Sequence, residues 1–245
     1  MPAQENPIFE KPSDPNVLIW RYMDFTKFIM MLEHGGLFFP RADLIGDPFE
    51  GAYSKGNVKL RPLVYKDKGI PGKVFELFGK YIRWSRQWTM INCWHINSHE
   101  SAAMWNLHAK TNEAIAIQST YEKLRQELDE DCFLGVVKYI DYETDWLPEG
   151  SALAPFIYKR KSYFHEQELR AIIQKIPIKG EGIDYSTIQK ENGIWKSVNL
   201  SNLINKVFVA PTSLPWFKEL VEKVVIRFEL KIDVVQSSLD EEPFF

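Results

Sequence analysis

Phe164-His165-Glu166-Gln167-Glu168-Leu169-Arg170-Ala171-Ile172-Ile173 carries charged residues at 166, 168 and 170 and apolar ones at 169, 171 and 173, two interleaved sets of alternate positions. Successive side chains of a strand point to opposite faces. The spacing therefore predicts an extended strand with Glu166, Glu168 and Arg170 on one side and Leu169, Ala171 and Ile173 on the other. Two carboxylates and a guanidinium backed by an apolar face make either a solvated strand face or an active site. Both readings stay open at this point.

Working outward, Trp88-Thr89-Met90-Ile91-Asn92-Cys93-Trp94-His95 is a continuous apolar run, as a buried strand requires. Val17–Tyr22, Leu37–Phe39, Ala114–Gln118, Phe133–Ile140, Lys206–Ala210 and Ile232–Val235 read as further strands. Helical spacing places one helix after Asp24 and another over Val74, Leu77, Phe78, Tyr81 and Ile82. Two more start at capping boxes, Asn97 with Glu100 and Ser119 with Glu122, and a last one runs from Ser213 to about residue 225. Residues 52–72 have no clear period and suggest an insertion or lid, and 177–194 reads as a loop. Strands and helices do not alternate strictly. The expected fold is α+β: a mixed, largely antiparallel sheet, whole or split, with flanking helices. The expected organisation is an arm over 1–16, a single domain over 17–236 and an acidic tail over 237–245.

Of 245 residues, 45% are hydrophobic and 14% aromatic, which supplies a core and excludes a disordered chain. The net charge of −3 gives no global field for nucleic acid or anionic lipid, so any such contact must be local. The segment Lys80-Tyr81-Ile82-Arg83-Trp84-Ser85-Arg86-Gln87-Trp88 could stack a base or hold a phosphate. An amphipathic helix running into a buried strand explains the same residues. Cys93 and Cys132 lie in apolar runs and read as buried free thiols. No stretch approaches the ~18 apolar residues of a membrane span. The N-terminus lacks the pattern of a secretory signal, so a cytoplasmic protein is expected. GxGxxG and GxxxxGK are absent, which removes the common phosphate-loop readings. His95, His99 and His108 do not form HExxH, and no metal is expected.

Several motifs taken together resemble a known family. They are Trp20-Arg21-Tyr22, Gly36-Leu37-Phe38-Phe39, Arg41-Ala42-Asp43, Asp47-Pro48-Phe49-Glu50, Cys93-Trp94-His95, Glu100 to Trp105, Ala114 to Ile117, Lys159-Arg160 to Phe164, and Glu166-Gln167-Glu168-Leu169-Arg170. In this order they resemble DUF2971, a mostly bacterial family of unknown function. More distantly, Arg21, Ser119-Thr120 and Glu166-Gln167-Glu168 are similar to the R–S–E pattern of ADP-ribosyltransferases. That resemblance implies cleavage of NAD at the nicotinamide–ribose bond and transfer to a nucleic-acid or protein acceptor. Glu168 would hold the ribose and stabilise its cation-like form, and Glu166 would orient or deprotonate the acceptor. Arg21 would pair with a phosphate and Ser119 would brace Glu168, with Tyr22 and Arg170 also among the cofactor-binding residues. The third residue of the family's Ser-Thr-Ser is Tyr121 here. The competing expectation is a non-enzymatic sensing or partner-binding component of a phage-defence or toxin–antitoxin system.

Overall fold

The two strands anticipated at 88–95 and 164–173 are neighbours at the middle of one sheet. The computed structural model describes residues 2–4, 6–109 and 111–243. Met1 and Glu5 of the expected arm, and Phe244 and Phe245 of the expected tail, lie outside the described residues. The chain runs β1 (Leu18–Asp24), α1 (Phe25–Glu33), β2 (Gly36–Pro40), α2 (Lys55–Val64), α3 (Gly72–Ser85), β3 (Thr89–Ile96), α4 (Ala102–His108), β4 (Ala114–Thr120) and α5 (Tyr121–Glu127). It continues as β5 (Phe133–Val136), β6 (Lys138–Ile140), β7 (Tyr158–Arg160), β8 (Glu168–Gln174), β9 (Ile178–Lys179), β10 (Gly182–Ile183), β11 (Gly193–Ser197), α6 (Leu200–Leu203), β12 (Lys206–Val209), α7 (Pro215–Arg227) and β13 (Asp233–Gln236).

Seven strands form the main sheet in the order β13-β12-β4-β1-β3-β8-β5. Only β12 and β13 pair in parallel within it. The fold is α+β with a mixed, mostly antiparallel sheet, and β2–β11, β6–β7 and β9–β10 form small two-stranded sheets beside it.

Cross-strand register fixes which residues share a face. Trp20 pairs with His95, His95 with Glu168, and Cys93 with Arg170. The opposite face carries Ile19, Met23, Met90, Trp94, Ile115, Ile117, Leu169, Ala171 and Ile173, packed with residues of α1, α5, α6 and α7 into the largest apolar cluster. On the Glu168 face there are two smaller clusters. One gathers Trp20 and Tyr22 with Met104 and Trp105 of α4. The other gathers Ile91 and Ile172 with Leu147, Phe156 and Ile157. The polar side chains of Cys93, His95, Glu168 and Arg170 lie between them.

The sheet is split along one seam. β1 pairs with β4 at seven positions and β3 with β8 at seven, whereas β1 and β3 pair only at Ile19–Ile96 and Trp20–His95. Beyond Trp20 the two strands part.

Four local expectations are corrected. First, the strand at 164–173 starts only at Glu168. Lys161–Glu166 form a 3-10 helix that ends at Gln167 in the left-handed conformation, φ 37°. The Glu166 carbonyl lies 2.6 Å from His95 Nδ1, so the chain turns there instead of extending the ladder. Glu166 therefore does not share a strand face with Glu168. Second, residues 52–72 contain helix α2, with the Ser54 hydroxyl accepting from the Asn57 amide; Pro62 inside the helix masked its period. Third, both capping boxes are displaced by one or more residues. Ser101 caps α4 and Thr120 caps α5 through their hydroxyls. Fourth, the 177–194 segment contains β9, β10 and the start of β11, which pairs with β2. The N-terminal segment packs on the domain, with Ala3 and Phe9 buried. Both cysteines are free thiols. Among the described residues no helix is long and apolar enough to cross a membrane.

Candidate functional site

The polar gap on the Glu168 face is a closed network of charges. β8 places Glu168 and Arg170 two residues apart, β7 supplies Lys159, and the loop after β2 supplies Glu50. Gly51, at φ 68°, turns the chain directly after Glu50, and a Cβ there would meet the Phe156 ring at 2.3 Å. Arg170 is fully buried, and every N–H of its guanidinium has an acceptor. Nε donates to Glu168 Oε1 at 2.9 Å and Nη2 to Glu168 Oε2 at 3.1 Å. Nη1 donates to Glu50 Oε1 at 2.5 Å and to the Phe156 carbonyl at 2.7 Å, and Nη2 also donates to Glu50 Oε2 at 2.7 Å. Lys159 bridges the two glutamates named from sequence: its ammonium donates to Glu166 and, at 3.1 Å, to Glu168 Oε2. Next to it Arg160 pairs with Asp47 at 2.8 Å and lies over the rings of Phe49 and Tyr163.

The electrostatics follow from this packing. Burial raises the Glu168 carboxyl, but the charges of Arg170 and Lys159, with hydrogen bonds from Arg170 and the Cys93 thiol, outweigh it and lower its pKa to about 2. Burial and the Glu168 charge push the Cys93 thiol well up, so it stays protonated and donates to Glu168. At Glu50 burial wins over Arg170 and the pKa is raised. Lys159 is raised: burial lowers it, and Glu168 and Glu166 overcome that. Burial lowers His95, against its bond to the Glu166 carbonyl, so the ring is neutral near pH 7. With Nδ1 donating to Glu166, Nε2 accepts from Asn97 Nδ2 at 3.3 Å. The site thus holds a permanent carboxylate at Glu168 but neither a thiolate nor a protonated imidazole.

Beside the network, where β1 and β3 part, the walls are aromatic and polar. The Tyr22 hydroxyl accepts from the Ser101 amide at 2.9 Å, and its ring meets Trp105 edge-on at 5.0 Å. Trp105 Nε1 donates to Glu100 Oε2 at 3.0 Å. On the other side of the seam Asn92 Nδ2 donates to the Phe38 carbonyl at 2.8 Å, and Arg21 Nη2 approaches the same oxygen at 3.5 Å. His108, at the end of α4, keeps an exposed edge. Crowding on its inner side lowers its pKa, then Lys27, Lys159 and Arg21 add their positive charge while Glu168 opposes them.

The residues singled out from sequence divide as follows. Glu168, Arg170 and Glu166 meet through Lys159, and Tyr22 shares their face. Arg21 is rooted on the opposite face, paired across to Ile117, although its charge is felt at Cys93 and His108. Burial lowers its own pKa to about 10. Ser119 does not brace Glu168. It pairs with Ile19, whose face is opposite to that of Glu168, on a strand three places from β8, and its hydroxyl donates to the Leu203 carbonyl at 2.5 Å. Arg21, Ser119 and Glu168 therefore do not form one three-residue constellation. Glu50 and Lys159 were missed as site residues, although both lie in motifs that carry the family resemblance. Among the described residues no three His, Cys, Asp or Glu side chains are grouped as metal ligands. Comparison with family models, curated proteins and solved structures gives no match.

Proposed function

We propose that the seam between β1 and β3 binds a dinucleotide of the NAD type and that Glu168 stabilises positive charge on its ribose as the bond to nicotinamide breaks. One observation carries this reading: β1 and β3 stop pairing beyond Trp20–His95, beside a carboxylate that Arg170 and Lys159 hold ionised. A carboxylate with a pKa near 2 cannot give a proton, but it can stabilise a developing sugar cation. Tyr22 and Trp105 are buried against each other beside the seam and form its rigid aromatic wall. Ser119 has no part in this reading, and Glu166 acts through Lys159.

The test is incubation of the purified protein with nicotinamide-labelled NAD, with and without nucleic acid or protein lysate. Glu168→Gln is expected to lower nicotinamide release by about 10²–10³-fold. Arg21→Ala is expected to weaken NAD binding. Full activity in Glu168→Gln would sink the assignment.

A second reading has its own support. Both Glu168 oxygens and every Arg170 N–H are already occupied, and Glu168 is only 4% exposed. Such a network also suits a rigid, non-enzymatic sensing or partner-binding component, as in phage-defence or toxin–antitoxin pairs. NAD binding without nicotinamide release, unaffected by Glu168→Gln, would favour it.

A further inference from the structure

The excursion between Glu50 and β3 differs in charge from everything around it. Residues 55–86 hold nine Lys and Arg against two Asp and Glu, a net +7 in a chain whose total is −3. Arg61 is consumed internally. Its Nε donates to Glu149 Oε1 at 2.7 Å, and its guanidinium lies over Tyr53, Phe75 and Phe78. Lys59, Lys66, Lys68, Lys73, Lys80 and Arg83 are all exposed.

The inner side of this helical pair is firmly anchored. The Ser54 hydroxyl donates to the Asp145 carbonyl at 2.5 Å, Asn57 Nδ2 to the Leu147 carbonyl at 2.8 Å, and the Tyr65 hydroxyl to Glu149 Oε2 at 2.9 Å. The outer side carries the exposed lysines and exposed Leu63 and Leu77. Its C-terminal end adds aromatic rings tilted against one another. Trp84 lies 4.8 Å from Tyr185, which is 59% exposed, and 5.9 Å from Trp88. Lysines that follow a backbone, ending at rings that can stack bases, are what a single-stranded polyanion with aromatic bases requires.

We propose that the outer face of α2 and α3, with Trp84 and Tyr185 at its end, binds single-stranded nucleic acid. Both ends of the segment run into the charged network, upstream at Glu50 and downstream at Cys93 and His95. A strand held there lies next to the seam between β1 and β3. This inference does not depend on the reading of Glu168, since binding is measured without NAD.

The experiment is fluorescence anisotropy of the full chain with a labelled oligothymidylate of roughly 20 nucleotides. A duplex of equal length and phosphatidylserine–phosphatidylcholine vesicles are run in parallel. Affinity is expected to fall steeply between about 50 and 200 mM salt. Lys66→Glu, Lys68→Glu, Lys73→Glu and Lys80→Glu together should weaken oligonucleotide binding at least about tenfold. The corresponding Gln variant should give a smaller loss in the same direction, and circular dichroism should stay unchanged for both. Lys218→Glu with Lys223→Glu on α7 should leave affinity intact. Tyr185→Ala should weaken binding to the single strand more than to the duplex. Equal losses from the α7 and hairpin reversals would overturn the proposal. So would absence of binding at low salt, or binding to vesicles without binding to the oligonucleotide.

Discussion

On one face of β8, Leu169, Ala171 and Ile173 are buried among the side chains of β1, β3, β4 and the helices that cover them. On the other, Glu168 and Arg170 are buried just as deeply, among Glu50, Lys159 and Cys93. The apolar face gains free energy directly, at roughly 25 cal/mol per Å² removed from water. The charged face must first lose the hydration of every ion it contains, and its attractions roughly repay that loss. A network that returns so little stability for its size points to a role other than holding the sheet together. That makes the charged face, and not the larger apolar one, the place to look for function.

The sharpest way to break this comparison is to truncate one residue on each side. Arg170→Met leaves Glu50 and Glu168 buried without their shared cation, and is expected to cost about 3–5 kcal/mol of unfolding free energy. Leu169→Ala removes only transfer energy and leaves a cavity, at about 2–4 kcal/mol. If the network contributes little in total, replacing Glu50, Glu168 and Arg170 together by Leu, Leu and Met should recover most of the loss. Urea denaturation of the three variants decides this. A triple variant no more stable than Arg170→Met would show that the network does stabilise the fold.

A smaller effect follows from pH. The Glu168 pKa is lowered on folding from 4.5 to about 2. A depressed carboxyl contributes stability that is full above its unfolded pKa and is lost as pH falls towards its folded one. Wild type should therefore lose up to ~3 kcal/mol from this group between pH 4.5 and 2. Glu168→Gln lacks this component. Glu50, raised by burial and in part by the Glu168 charge, acts with the opposite sign and less strongly in the variant, so it offsets part of the difference. Denaturation curves at a series of acid pH values should show the two proteins converging as pH falls. Parallel curves would mean that Glu168 is not held ionised by its neighbours.

How far the sequence reached is clear from the same strand. Period-two alternation correctly assigned Leu169, Ala171 and Ile173 to one face and Glu168 and Arg170 to the other, because local geometry alone sets that pattern. It could not show that the polar face is covered. The cover comes from Glu50, Phe156 and Lys159, which approach from 120, 14 and 11 residues away from Arg170. It also extended the strand back to Glu166, since His-Glu-Gln alternates as well as any strand does, and only the contact with His95 reveals the turn. The helix at 55–64 escaped notice for a similar reason: its anchors, Asp145, Leu147 and Glu149, lie about ninety residues downstream. The charge of that segment, by contrast, needed only counting.

The smallest expected effect concerns Ser119, and it separates a structural hydroxyl from a catalytic one. Its hydroxyl is buried and donates to the Leu203 carbonyl, tying β4 to α6 on the apolar face. Ser119→Ala removes one buried hydrogen bond and should cost about 1 kcal/mol. Because two strands, β1 and β3, and the thickness of the sheet separate it from Glu168, neither NAD affinity nor nicotinamide release should change at a temperature where both proteins are folded. Ser119→Thr keeps the donor but adds a methyl group to a closely packed face, so it should restore the hydrogen bond only in part. A loss of NAD affinity in Ser119→Ala without a loss of stability would place the hydroxyl at the ligand and reverse the assignment of faces made here. A loss of stability alone is the expected outcome and is consistent with the seam between β1 and β3, and not the apolar face, as the proposed ligand site.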